Sequence, residues 1–212
     1  MNNIFPWQNE IWKILTKNKS SIGHAILLKG RKGIGKLEFA KSLAKSLLCE
    51  DRLSENQACG SCSGCRWFEQ AGHPDFYLVE PEALSESSGE SKEKPSSAKL
   101  KKKPSKQVSV AQIRALNDVV NMSSHRNGYK IVIINPAEAM NVAAANALLK
   151  NLEEPPPQTL FILVTHRPHH ILPTIHSRCR QIAMPAPDFN LAIDWLEKQD
   201  IEDAEDSLAA VG

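Results

Sequence analysis

The chain's 212 residues are enough for one large domain, or one domain and part of another. Twenty-six Lys and Arg against 24 Asp and Glu leave a net charge of +2, too small to argue for nucleic acid by charge alone. No run approaches the ~20 apolar residues of a membrane span, and the start, "MNNIFPWQNEIWKIL", lacks the basic stretch and apolar run of a secretory signal. The expectation is a soluble cytoplasmic protein.

Ala25 to Leu28 is a short apolar run that predicts a buried strand. It feeds Gly30-x-x-x-x-Gly35-Lys36, with Gly33 inside the turn, and then Leu37, Ala40, Leu43, Ala44, Leu47 and Leu48 recur at helical spacing. A glycine loop between a strand and a helix is the pattern of a phosphate-binding loop. Its backbone amides cradle phosphates, the helix N-terminus adds a favourable dipole, and Lys36 would reach the terminal phosphates. The next residue should be a Ser or Thr that offers a hydroxyl to Mg²⁺, and Leu37 cannot.

Four of the five cysteines cluster as Cys49-x₉-Cys59-x₂-Cys62-x₂-Cys65. In a chain expected to be cytoplasmic this spacing points to a metal rather than disulfides. A closed set of four thiolates suits structural Zn²⁺, with small residues (Gly60, Ser61, Ser63, Gly64) allowing tight turns between ligands. An iron–sulfur cluster uses the same ligands, and His73 is an alternative to Cys49 as the fourth. Chelation is expected to loosen residues 49–73 while leaving the α/β core.

Phe76 to Val79 predicts a second strand. Residues 85–107, "SESSGESKEKPSSAKLKKKPSKQ", have almost nothing to bury and predict a flexible surface insertion. Its five lysines between Lys99 and Lys106 are read as a solvated loop rather than a DNA contact. Ile113, Leu116 and Val120 then mark one face of a helix. The runs "IVII" (131–134) and "LFILV" (160–164) are typical of strands covered on both faces. Between them "NVAAANALLKNLEE" predicts a helix stopped by the prolines at 155–157. Alternating strands and helices indicate a parallel α/β sheet flanked by helices. The first of the two runs ends on Asn135-Pro136, where hydrolysis needs a carboxylate for Mg²⁺ and another to activate water; neither residue can do either task. Past Pro185 and Pro187, Leu191, Ile193, Trp195 and Leu196 suggest the helical start of a further unit.

The segments "GHAILLKGRKGIGK", "LLC", "CGSCSGC", "HPDF", "NALLKNLEEPP" and "SRC", in this order, resemble the delta-prime family of AAA+ subunits in the bacterial DNA polymerase III clamp loader. The resemblance implies an AAA+ P-loop domain over 1–183, with the zinc insertion at 49–73 and the low-complexity insertion at 85–107. It implies the beginning of a helical lid at 184–212, and a collar domain that this chain does not include. Delta-prime proteins do not hydrolyse ATP, so no catalysis of its own is expected. The retained Lys36 leaves ATP binding at the loop open. In the family an Asp-Glu pair of the active subunits stands where this chain has Asn135-Pro136, Thr165 occupies the place of a γ-phosphate sensor, and Cys49 completes the zinc site. Arg178 of Ser177-Arg178-Cys179, placed after the strand that closes the sheet, would be an arginine finger reaching a neighbouring ATPase subunit; Cys179 would be a buried packing residue. The implied partners are that ATPase subunit and a delta-type subunit in a heteropentamer, the sliding clamp, and primer-template DNA within the assembly, with no membrane. Two other readings stand beside this one. They are an ATPase with an altered magnesium site, and a nucleic-acid-binding zinc module, against which the cysteine segment offers few basic or aromatic residues beyond Arg66, Trp67 and Phe68.

Overall fold

A computed structural model of the chain describes residues 4–17, 22–85, 104–122, 124 and 128–199. Most of the low-complexity insertion, including four of the five lysines between Lys99 and Lys106, and the segment after 199 lie outside the described residues. Of the insertion's C-terminal end, Ser105 accepts a backbone hydrogen bond from Ala83 at 3.0 Å, and Lys106 is exposed.

Five strands form one parallel sheet: β1 (Ala25–Lys29), β2 (Phe76–Val79), β3 (Lys130–Ile134), β4 (Thr159–Thr165) and β5 (Arg180–Ala183), in the order β2-β3-β4-β1-β5. Every residue of β3 and β4 is buried, as expected of central strands covered on both faces. Alternation along the strands sorts the core into two layers. Ile26, Leu28, Ile131, Ile133, Leu160 and Ile162 face α1 (Asn9–Lys17) and α2 (Lys36–Leu48), meeting Trp12, Leu15, Phe39 and Leu43. Leu27, Val132, Ile134, Phe161 and Leu163 face α5 (Val110–Val120) and α6 (Val142–Glu153), meeting Ile113, Leu116, Leu148 and Leu152. Each such side chain contributes about 2 kcal/mol by leaving water.

The connecting helices are set by local chemistry. Ser109 and Gln112 form a capping box at the start of α5, and Asn141 accepts from the Ala144 amide at 2.8 Å to start α6. The far end of α5 is closed by the buried Lys130, whose ammonium donates to the carbonyls of Val119 (2.9 Å), Val120 (3.2 Å) and Met122. Shorter helices complete the described chain: α3 (Ser63–Glu69), α4 (Glu82–Ser85), α7 (Pro173–His176) and α8 (Phe189–Glu197). Lys45 of α2 ties α3 down through Glu69 at 2.7 Å.

One expectation needs correction. The run at 160–164 belongs to β4, which lies in the middle of the sheet rather than closing it. The closing strand on that side is β5, so Ser177-Arg178-Cys179 comes before the edge strand, not after it. The side chains of β5 are mostly exposed, so it carries no apolar run to announce it.

Candidate functional site

Because all strands run the same way, the residues that follow β1, β3 and β4 converge on one end of the sheet. The glycine loop follows β1. Gly33 and Gly35 both have left-handed backbones (φ +88° and +79°), which lets the chain turn tightly into α2. A β-carbon on Gly30 would fall 2.8 Å from the Ile34 side chain and 3.1 Å from the Met184 carbonyl, so the loop base is closely packed. The Lys36 ammonium folds back on the loop, donating to the Gly30 carbonyl at 3.0 Å and to the Arg31 carbonyl. Lys36 is 3% exposed, and burial pulls it down to about 8 despite the opposing charges of Glu138 and Glu38. Leu37 is partly buried against the apolar layer that holds α1 and α2, and it offers no hydroxyl.

The N-terminal segment covers this loop. The Trp7 indole donates to the Ile34 carbonyl at 3.1 Å, and the buried Gln8 amide donates to the Ile34 and Gly35 carbonyls, both at 2.9 Å. Phe5 stacks on Trp7 with centroids 4.8 Å apart, and Trp195 of α8 meets both rings edge-on at 5.2 and 5.9 Å. None of these residues was singled out from the sequence for the loop; their only signal was three aromatics flanking the domain.

At the end of β3, Asn135 stands where a metal-binding carboxylate would be expected, and its amide donates to Glu80 Oε1 at 2.7 Å. Pro136 follows and offers no acid or base. Glu138, on the next turn, accepts from the His166 amide at 3.0 Å through Oε1. Its Oε2 and the His166 Nδ1 are buried and lack a hydrogen-bond partner among the described residues. Burial, and secondarily the Lys36 charge, hold His166 below the usual imidazole range. Thr165, fully buried at the end of β4 and level with Lys29, accepts from the Arg167 amide at 3.1 Å and so caps the following turn. Gly30, Gly33, Gly35, Lys36, Asn135 and Thr165 are thus brought together, with Glu80, Glu138 and His166 as neighbours that sequence reasoning missed.

The cysteines form a separate centre at the far end of α2. Sγ atoms of Cys49, Cys59, Cys62 and Cys65 all lie within 4.8 Å of one another. Four thiolates held tetrahedrally at ~2.3 Å from Zn²⁺ would be about 3.8 Å apart. Cys49 and Cys62 are 3.9 Å apart and Cys59 and Cys65 4.0 Å, so the set fits one metal ion. Cys49 completes it, whereas the His73 Nδ1 accepts from the Asp75 amide at 3.1 Å. Backbone amides aim into the cluster: Cys59 N donates to Cys49 Sγ at 3.3 Å, Cys62 N to Cys59 Sγ at 3.3 Å and Cys65 N to Cys62 Sγ at 3.4 Å. Chiefly through the Cys62 and Ser61 amides, Cys59 is drawn down to about 6; burial pushes Cys49 and Cys65 up.

Arg178 is not part of either centre. Arg180, the first residue of β5, pairs with Ile26, so Arg178 lies before the start of its strand, at the end of the sheet opposite the glycine loop that follows β1. Its neighbour Cys179 is buried in the α6 layer, and burial pushes the thiol up to about 12, as suits a packing residue.

A glycine loop with its lysine between β1 and α2, in a parallel sheet of order β2-β3-β4-β1-β5, defines a P-loop protein of the AAA+ class. A family model described as DNA polymerase III, delta subunit, matches residues 7–188, and the chain belongs to that family. It is 40% identical over 198 residues to the DNA polymerase III subunit delta' of Pseudomonas aeruginosa, covering 93% of this chain and 54% of that protein. It is 35% identical over 203 residues to the subunit delta' of Bacillus subtilis, covering 95% and 54%. The chain therefore spans about half the length of these relatives. In fold it is similar to the crystal structure of a DNA polymerase III gamma subunit-related protein from Thermotoga maritima, with a TM-score of 0.53 at 24% identity, covering 90% of this chain and 52% of that one. Among the described residues no helix is long and apolar enough to cross a membrane.

Proposed function

We propose that this chain is the AAA+ part of a clamp-loader subunit that does not hydrolyse ATP and lends Arg178 to the ATPase beside it. Its relatives are named as subunits delta' of DNA polymerase III, which supports membership of that assembly. The observation that carries the silent reading is the pairing of Asn135 with Glu80 at 2.7 Å. A neutral amide fills the place of the metal-binding carboxylate, and it engages the nearest carboxylate itself. Leu37 and Pro136 remove the other two groups that phosphoryl transfer needs. Arg178, a permanently charged planar donor on the surface, suits a neighbour's phosphate, with which fingers of this kind contribute about 10³- to 10⁵-fold in rate.

In this reading α8 begins a helical lid over 184–212, joined to the loop through the contact of Trp195 with Phe5 and Trp7. The four cysteines hold structural Zn²⁺, which would cross-link a segment with little apolar surface of its own. The subunit stands between an ATPase subunit and a delta-type subunit in a heteropentamer that places the sliding clamp on primer-template DNA. A second reading, an ATPase with a rearranged magnesium site, has one observation in its favour: the buried Oε2 of Glu138, without a hydrogen-bond partner among the described residues, on a carboxylate close enough to Lys36 to oppose its loss of charge.

DNA- and clamp-stimulated ATP turnover by the reconstituted clamp loader separates the two. If the silent reading holds, Arg178→Ala in this subunit lowers turnover sharply and Lys36→Ala does not. A fall on Lys36→Ala with Arg178→Ala unaffected would establish the second reading instead.

A further inference from the structure

The helix α6 ends on two carboxylates, Glu153 and the capping Glu154, just before Pro155. That is an unfavourable place for an anion, because the carbonyl end of a helix carries the negative pole of its dipole. Glu153 is matched there by a cation from another element: its Oε1 lies 2.6 Å from Nη2 of Arg178. Nη1 of the same guanidinium donates to the Thr174 carbonyl at 2.9 Å and to Ser177 Oγ at 3.2 Å. The backbone beneath is fixed as well. The Arg178 and Cys179 amides both donate to the Ile175 carbonyl at 3.1 Å, and the Cys179 side chain is sunk in the layer that holds Leu148 and Leu152 of α6. Three elements (α6, α7 and the turn into β5) therefore converge on one surface arginine whose side chain keeps 33% of its exposure.

We infer that Glu153 is the positioning residue of Arg178, and the inference rests on the arginine-finger reading above. A guanidinium has five N–H donors in a rigid fork. The contacts to Thr174, Ser177 and Glu153 engage Nη1 and one side of Nη2, leaving Nε and the other Nη2 hydrogen for a phosphate on a neighbouring subunit. A free arginine would have to be ordered along its whole length at each turnover; one already held by Glu153 and Thr174 is spared most of that. Glu153 touches no phosphate and acts through Arg178.

The test is steady-state, DNA- and clamp-stimulated ATP turnover by the reconstituted clamp loader containing this subunit. Glu153→Ala lowers kcat roughly fivefold at unchanged KM for ATP, the effect expected when an ordered surface ion pair is lost from the transition state only. Glu153→Gln keeps an acceptor and recovers most of the rate. Added to Arg178→Ala, Glu153→Ala has no further effect, while melting temperature and incorporation of the subunit stay at wild type. Wild-type kcat for Glu153→Ala alongside a slow Arg178→Ala overturns the inference but not the finger. An equal extra loss in the Arg178→Ala background, or loss of the subunit from the assembly, overturns it too. Wild-type turnover by Arg178→Ala removes the finger reading, and this inference falls with it.

Discussion

The ring of Phe5 lies directly against the α-carbon of Gly35. A methyl group there would come within 2.2 Å of a ring carbon, on a residue whose φ of +79° already disfavours any side chain. Gly35→Ala is therefore expected to destabilise the fold by about 2 kcal/mol or more. Replacing Phe5 with Leu in the same chain should return only the steric share, because the backbone penalty remains. Urea unfolding midpoints of the single and double variants would measure both shares.

The cysteine centre predicts one Zn²⁺ per chain. Stripping it with a strong chelator should raise hydrogen exchange across residues 49–73, where Cys49 and Cys65 are buried mainly by the cluster itself. Far-UV circular dichroism should change little, since the two core layers are built from β1, β3 and β4 with α1, α2, α5 and α6. Loss of all helical signal on chelation would contradict this division.

Thiol reactivity should follow the same geography. At pH 8 the native, metal-loaded chain should consume little of a thiol reagent, and chelation should release the four clustered thiols to react. Cys179, 7% exposed and held up to about 12 by burial, should react only on unfolding. A fifth thiol reacting in the folded, chelated chain would mean that the turn before β5 opens.

Lys36 gives a pH dependence of known sign. In the folded chain burial holds it at about 8, against an ordinary value of 10.5. Below pH 8 both states carry the proton and this group adds no slope. Between 8 and 10.5 the unfolded chain binds more protons than the folded one, so stability rises with pH through this group. The difference in unfolding free energy between wild type and Lys36→Met should therefore shift in favour of wild type from pH 8 to pH 10.

The central strands, the glycine loop, α2, α5 and α6 were legible because each carries its own periodic or continuous apolar signal. Cys59, Cys62 and Cys65 were legible from spacing, the fourth ligand lay open between Cys49 and His73 until the family resemblance favoured Cys49, and the structure brings Cys49 together with the other three. What escaped was whatever depends on a partner distant in sequence. Glu138 is an ordinary acid until β4 delivers His166 to it, and Glu80 until β3 delivers Asn135. Glu153 and Arg178 are 25 residues apart in sequence and meet only because α6 and α7 pack side by side. The helix α1 carried its signal openly in Trp12 and Leu15 but was passed over. The strand β5 was not readable, since an edge strand with exposed side chains has no pattern to show, and the position assigned to Arg178 relative to the sheet was wrong for that reason.

The glycine loop and Arg178 stand at opposite ends of the same parallel strands, so no single molecule can bring its own arginine to its own loop. On the arginine-finger reading proposed above, such a molecule has direction: one edge receives and the other gives. Subunits joined through unlike edges stack head to tail rather than mirror one another. If, as proposed, the receiving site of this chain no longer hydrolyses while Arg178 still serves a neighbour, its station is at the end of the run of ATPase subunits, where the sequence of firing sites begins or stops.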